Sequence, residues 1–197
     1  MIETSVFSAE VKHIFTGNIL IIVCCAFYLL WWLLAFKPTD AITGMKTDWL
    51  LLPACAAAAI GILIAFRGIS NVEPEPGNRL LPGGAILIGG VAAIVILLAV
   101  TLLLFKRPVT TELFLIVGWG MLALTEVNAL FASGVFSHGR AVAFVITVFA
   151  VVAVSMICYT LYYRLDGVAG YIDGMVPLLL AALTTAAISC FIVISGK

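Results

Sequence analysis

The run from Gly83 to Phe105, GGAILIGGVAAIVILLAVTLLLF, contains no charged residue and no proline, and Thr101 is its one hydroxyl. At a helical rise of about 1.5 Å per residue it reaches about 35 Å, enough to cross a hydrocarbon core of about 30 Å. Nothing in it alternates with the period of two that a membrane β-strand needs. It therefore reads as a transmembrane α-helix. Five further apolar runs meet the same standard. The six spans fall at 14–36, 49–66, 83–105, 113–131, 141–163 and 174–194, in a single domain covering 1–197. The expected fold is all-α and polytopic, with six transmembrane helices in a compact bundle and a weak 3+3 inverted repeat.

Composition agrees. Of 197 residues, 64% are hydrophobic and 10% charged, against about 25% charged in a soluble domain. Ten basic residues balance ten acidic ones, and no basic face exists for phosphate, so nucleic acid is not an expected partner. The expected partners are the lipid bilayer, a small-molecule solute, and either further copies of the chain or a partner membrane subunit. The N-terminal run lacks the basic flank and small-residue cleavage site of a signal peptide, so it is read as a retained first span in a cell membrane. Lys and Arg divide evenly between the two sides, and the positive-inside rule leaves orientation open.

Prolines punctuate the runs: Pro38 and Pro108 follow spans, Pro82 precedes one, and Pro53 and Pro177 are placed in first turns, where a missing N–H is tolerated. The connection RGISNVEPEPGNRLLP, from Arg67 to Pro82, reads as a stiff polar excursion. Asp173 is expected to cap the last span, where the helix dipole favours an anion. Within the spans, small residues four apart mark packing seams: Ala57, Gly61 and Ala65; Ala85, Gly89 and Ala93; Ala181, Thr185 and Ser189. Backbones approach closely at such sites, so these three helices are expected to form the tight interior.

One ionisable acid or base lies deep within a span: Glu126, in GWGMLALTEVNAL. An acidic group at a helix centre costs about 2.5–3.5 kcal/mol on the insertion scale and marks a functional site by default. Thr125 and Asn128 share a face beside it. Glu126, Asn128 and Thr125 are therefore the expected lining of a substrate path, with Trp119, Trp31 and Trp32 as aromatic lining. A purely structural reading gives Glu126 an interhelical hydrogen bond to Thr184, Thr185 or Ser155. Tyr28, Trp31 and Trp32, like Tyr159, Tyr162 and Tyr163, otherwise read as an interfacial belt.

Catalytic arrangements find little support. Asp166 and Asp173 share one short connection, and His138 lies too near Ser133 to act as a base from a separate helix. Cys24, Cys25, Cys55, Cys158 and Cys190 lie inside spans as apolar packing groups, without metal-ligand spacing. The glycine pairs lack the Lys-Ser/Thr of a phosphate loop. No catalytic residue, metal or cofactor is expected. Chain length and helix count are similar to those of vitamin-binding subunits of energy-coupling transporters and of six-helix urea or amide channels, a likeness of topology. Transport or permeation of a small solute is the leading expectation; a non-catalytic subunit that docks a partner or senses a ligand is the alternative.

Overall fold

The computed structural model describes residues 8–35, 47–72, 80–103, 111–162 and 164–195, and among these every regular element is helical. The helices are α1 (Ala9–Ala35), α2 (Leu51–Asn71), α3 (Gly83–Leu103), α4 (Thr111–Ala132), α5 (His138–Tyr162) and α6 (Gly167–Ser195), with a short 3-10 turn, Asp48–Leu50, leading into α2. Six helices are long and apolar enough to cross a membrane. The fold is that of a multi-pass membrane protein.

Local chemistry sets several ends. Ser8 begins α1, its Oγ accepting the Val11 N–H at 3.4 Å, the usual way a hydroxyl satisfies a free first-turn donor. Gly134, at φ +74, ends α4 in the left-handed region that a side chain would resist. The Phe136 N–H then turns back to the Leu130 carbonyl at 3.1 Å.

Three expected ends shift by five residues or more. α2 runs on to Asn71, five residues past the expected end, so the first part of the connection read as a polar excursion is helical; residues 73–79 of it lie outside the described residues. α1 starts five residues before the expected span, because Glu10, Lys12 and His13 can be helical without being apolar. α6 starts at Gly167, seven residues early. Asp173 is thus inside the helix and does not cap it; Asp166 holds the position just before the first turn. Pro177 is likewise interior to α6 rather than in its first turn, which removes the N–H that would have bonded the Asp173 carbonyl.

Neighbouring helices follow the order α2, α1, α6, α5, α4, α3, with α4 also touching α2 and α6. The closest pair is α1 with α2. A methyl added at Gly17 would lie 2.6 Å from Ala65 Cβ and 2.7 Å from the Gly61 carbonyl oxygen; one added at Gly68 would lie 2.6 Å from the Glu10 carbonyl oxygen. Glycine costs an isolated helix about 1 kcal/mol relative to alanine, and here backbone-to-backbone packing offsets it. The expected seam of α2, Ala57, Gly61 and Ala65, is buried. In the α6 seam Thr185 and Ser189 are buried too.

The α3 seam is not where it was expected. Ala85 and Gly89 are exposed, and a side chain at Gly89 would meet open space. The reason is that α3 has α4 as its one extensive neighbour among the described residues, so most of its circumference faces outward. Ile88 is 71% exposed and Leu103 is 75% exposed, as suits side chains solvated by lipid tails. The interior is built instead on α1, α4, α5 and α6.

Candidate functional site

Two helical stripes converge at the centre of this interior. On α1 the buried residues Val11, Ile14, Asn18, Ile21 and Cys25 recur at alternating intervals of three and four, one continuous face of a helix. On α4, Trp119, Ala123, Glu126 and Leu130 share a face by the same spacing. Asn18 is 0% exposed and Glu126 is 2% exposed. The Asn18 side chain lies beside the Glu126 carboxyl. Yet Oε1 of Glu126 and both Oδ1 and Nδ2 of Asn18 form no hydrogen bond. A buried polar atom left unpaired costs about 1–3 kcal/mol, so the pair is held there against its own solvation.

Apolar packing closes the pair off on the side where α1 begins and α4 ends. Ile14 and Leu130, each one turn from the pair, join Val11, Val127, Phe136, Phe144, Ile188 and Ile192 in a dry cluster. Phe136 stacks on Phe144 with centroids 5.3 Å apart, and Phe144 meets Phe191 edge-on at 5.5 Å. Toward the other side, Trp119 donates its indole N–H to Thr185 Oγ1 at 3.1 Å, tying α4 to α6. Thr185 donates onward to the Ala181 carbonyl at 2.9 Å. Glu126 is thus enclosed by packed side chains rather than on an open surface.

The remaining expected site residues are distributed. Asn128 Oδ1 accepts the N–H groups of Leu80 and Leu81 at 3.0 and 3.2 Å, and its Nδ2 donates to the Leu81 carbonyl at 3.0 Å. It pins the chain just before α3. Thr125 donates to the Met121 carbonyl of its own helix at 2.6 Å. Thr185, a suggested partner for Glu126, is engaged with Trp119 and Ala181; Ser155 and Thr184 are buried on α5 and α6, and Ser155 lies beyond the level where Val152 meets Gly120, more than a turn from Glu126.

Trp31 and Trp32 lie at the far end of α1. Trp31 donates to Asp48 Oδ1 at 3.4 Å and tilts against Tyr28. Trp32 is buried, donates to the Tyr171 carbonyl at 3.2 Å, and meets Tyr162 at 6.0 Å between centroids. The aromatic ends of α1 and α5 therefore meet. Trp32 packs on Gly174, whereas Trp119 reaches α6 eleven residues further on at Thr185, about 16 Å away at the helical rise. The three tryptophans do not line one space.

A second polar point lies near Trp32. Asp173 of α6 faces Cys158 of α5, and its Oδ2 is buried without a hydrogen bond. Among the described residues, no group of three or more His, Cys, Asp or Glu gathers as a metal site. A narrow apolar crevice between α3 and α4, lined by Ile94, Leu97, Leu113, Phe114 and Val117, has no room for a water molecule and no polar side chain to orient a ligand.

Asn18 is the residue that sequence reasoning passed over. Its signal is present: a carboxamide in register with Val11, Ile14, Ile21 and Cys25 interrupts an otherwise apolar seam. A polar side chain in such a seam needs a partner from another helix. No known protein family, characterised relative or solved structure matches this chain.

Proposed function

We propose that this protein carries a small solute or cation across its membrane, with Glu126 as the group past which it moves. The observation that carries this reading is the buried, incompletely bonded Glu126 carboxyl facing Asn18 between α1 and α4. Intramembrane carboxylates retained at such cost line pathways or hold ions. Asn128, from the same helix, contributes by fixing the segment that leads into α3. We further read the halves as a 3+3 inverted repeat within a compact bundle, in which α1 and α4 are counterparts. Transporters built this way bind substrate between their repeats.

The test is flux into vesicles reconstituted with the full chain, followed by light scattering for small neutral solutes and by an internal dye for cations. The expected result is a rate above that of protein-free vesicles, lost or strongly reduced in Glu126→Gln. Equal rates for protein-containing and empty vesicles across that panel overturn the proposal.

A second reading has its own support. Gly84 and Gly89 lie open on the outward face of α3, a surface on which another membrane helix could pack closely. On that reading the chain is a non-catalytic subunit that anchors a partner or a second copy. Chemical cross-linking in native membranes through a cysteine placed at Gly89 tests it: a defined adduct supports docking, and none opposes it.

A further inference from the structure

We infer that Asn18 and Glu126 together form a binding site for one proton, filled when the interior is closed as it is here. The inference rests on the reading of Glu126 as the functional group and names the species that it holds.

Charge comes first. Glu126 lies within a span and is almost wholly buried, so an ionised carboxylate there needs a positive charge beside it. None is supplied by the packed helices. On α1, Lys12 is exposed and His13 and Glu10 lie in the first turns. On α2, Arg67 is exposed. On α5, His138 and Arg140 are exposed at the start of the helix, and Arg140 donates to Ser195. Other titratable groups on these helices are Cys24, Cys25 and Tyr28 on α1, Cys55 on α2, Cys158, Tyr159 and Tyr162 on α5, and Tyr171, Asp173 and Cys190 on α6. None of these is a cation that could neutralise the carboxylate. Asn18 is the polar side chain beside it.

Shape and valence come second. A carboxamide offers one acceptor and two donors. A carboxylate can only accept, so it would use the Asn18 Nδ2 and confront Asn18 Oδ1 with like partial charge. A protonated carboxyl matches both ends. Its O–H donates to Asn18 Oδ1 while its carbonyl oxygen accepts from Asn18 Nδ2. Three of the four atoms this pairing requires, Glu126 Oε1, Asn18 Oδ1 and Asn18 Nδ2, are buried and unpaired. The bookkeeping is simple: one proton from water-borne acid joins one carboxylate oxygen, and no other bond changes. On release the carboxylate must regain water or a cation, which requires α1 and α4 to part.

The infrared carbonyl band of a protonated carboxylic acid tests this directly in the full chain in lipid, titrated over pH. The expected spectrum contains such a band at the lower pH values, absent from Glu126→Gln. In Asn18→Ala the band persists but moves to higher frequency, because its hydrogen-bonding partner is gone. Should Glu126→Gln fail to fold, the Asn18→Ala shift still reports on the native carboxyl. Three results overturn the inference: no such band at any pH where the chain stays folded, a band unchanged by either substitution, or a band removed by added sodium at fixed pH, which would make the site one for a metal cation. Vesicle flux is read separately. A band without flux removes the transport reading and leaves the proton site; flux without the band does the reverse.

Discussion

The indole of Trp32 on α1 occupies the space that a side chain at Gly174 on α6 would need. The contact couples the end of α1 to the early turns of α6, and the indole N–H fixes it by bonding the Tyr171 carbonyl. Gly174→Ala should therefore destabilise the protein by about 1–3 kcal/mol, the usual cost of overpacking. Trimming the neighbour should offset part of that loss. A double-mutant cycle with Trp32→Phe, read by thermal unfolding in detergent, is expected to show coupling above about 0.5 kcal/mol. Additive effects would show that the indole can move aside freely.

Gly17 and Gly89 are both helical glycines in apolar surroundings, and opposite outcomes are expected for them. Gly17→Leu places a side chain into the Ala65 and Gly61 backbone and should prevent α1 and α2 from pairing. Gly89→Leu meets open space and should change stability by no more than about 0.5 kcal/mol, as for other exposed sites. Expression level and thermal unfolding of the two variants check this. A severe Gly89→Leu defect in an isolated protomer would contradict the outward position of that face.

Asn128 makes three hydrogen bonds to the backbone at Leu80 and Leu81. At about 1 kcal/mol net for each bond, Asn128→Ala should cost roughly 2–3 kcal/mol. Asn128→Asp keeps the acceptor for both N–H groups and loses the donation to the Leu81 carbonyl, so it should cost less. Hydrogen exchange at the Leu80 and Leu81 amides locates the effect. Unchanged protection in Asn128→Ala would refute the pinning role.

The Trp119 to Thr185 bond predicts a graded series. Trp119→Phe removes one hydrogen bond while keeping most of the ring, for about 0.5–1.5 kcal/mol. Trp119→Ala also empties a large volume, for about 3–5 kcal/mol. Because the indole packs between α4 and α6 two turns from Glu126 on the same face, Trp119→Ala should speed isotope exchange of the Glu126 proton much more than Trp119→Phe does. Equal exchange rates in the two variants would show that closure lies elsewhere.

What was legible in the residues depended on how local the physics was. Six spans could be read because each helix must satisfy its own backbone in lipid, and apolar length records that requirement. Glu126 could be singled out because a carboxyl is conspicuous in an apolar helix. Its partner could not, since α1 and α4 are brought together through their shared neighbours α2 and α6, a property of the assembled chain. Gly17 and Gly89 show the same limit: similar local sequence, one against a backbone and one facing outward. The start of α6 was misplaced for a different reason. Hydropathy marks where a helix enters lipid, whereas Asp166 and Gly167 mark where the helix begins.

The glycine contacts between α1 and α2 carry a consequence for the order of biogenesis. Every residue of that seam has been synthesised once Gly68 has emerged, so the first hairpin can close while most of the chain is still on the ribosome. Asn18, next to Gly17 in that hairpin, then awaits a partner encoded more than a hundred positions later. α3 is inserted in between with little to hold it until α4 arrives. Arrival of α4 therefore gives α3 its neighbour and delivers the acid to the amide, making the meeting of Asn18 with Glu126 a late event in the making of each molecule.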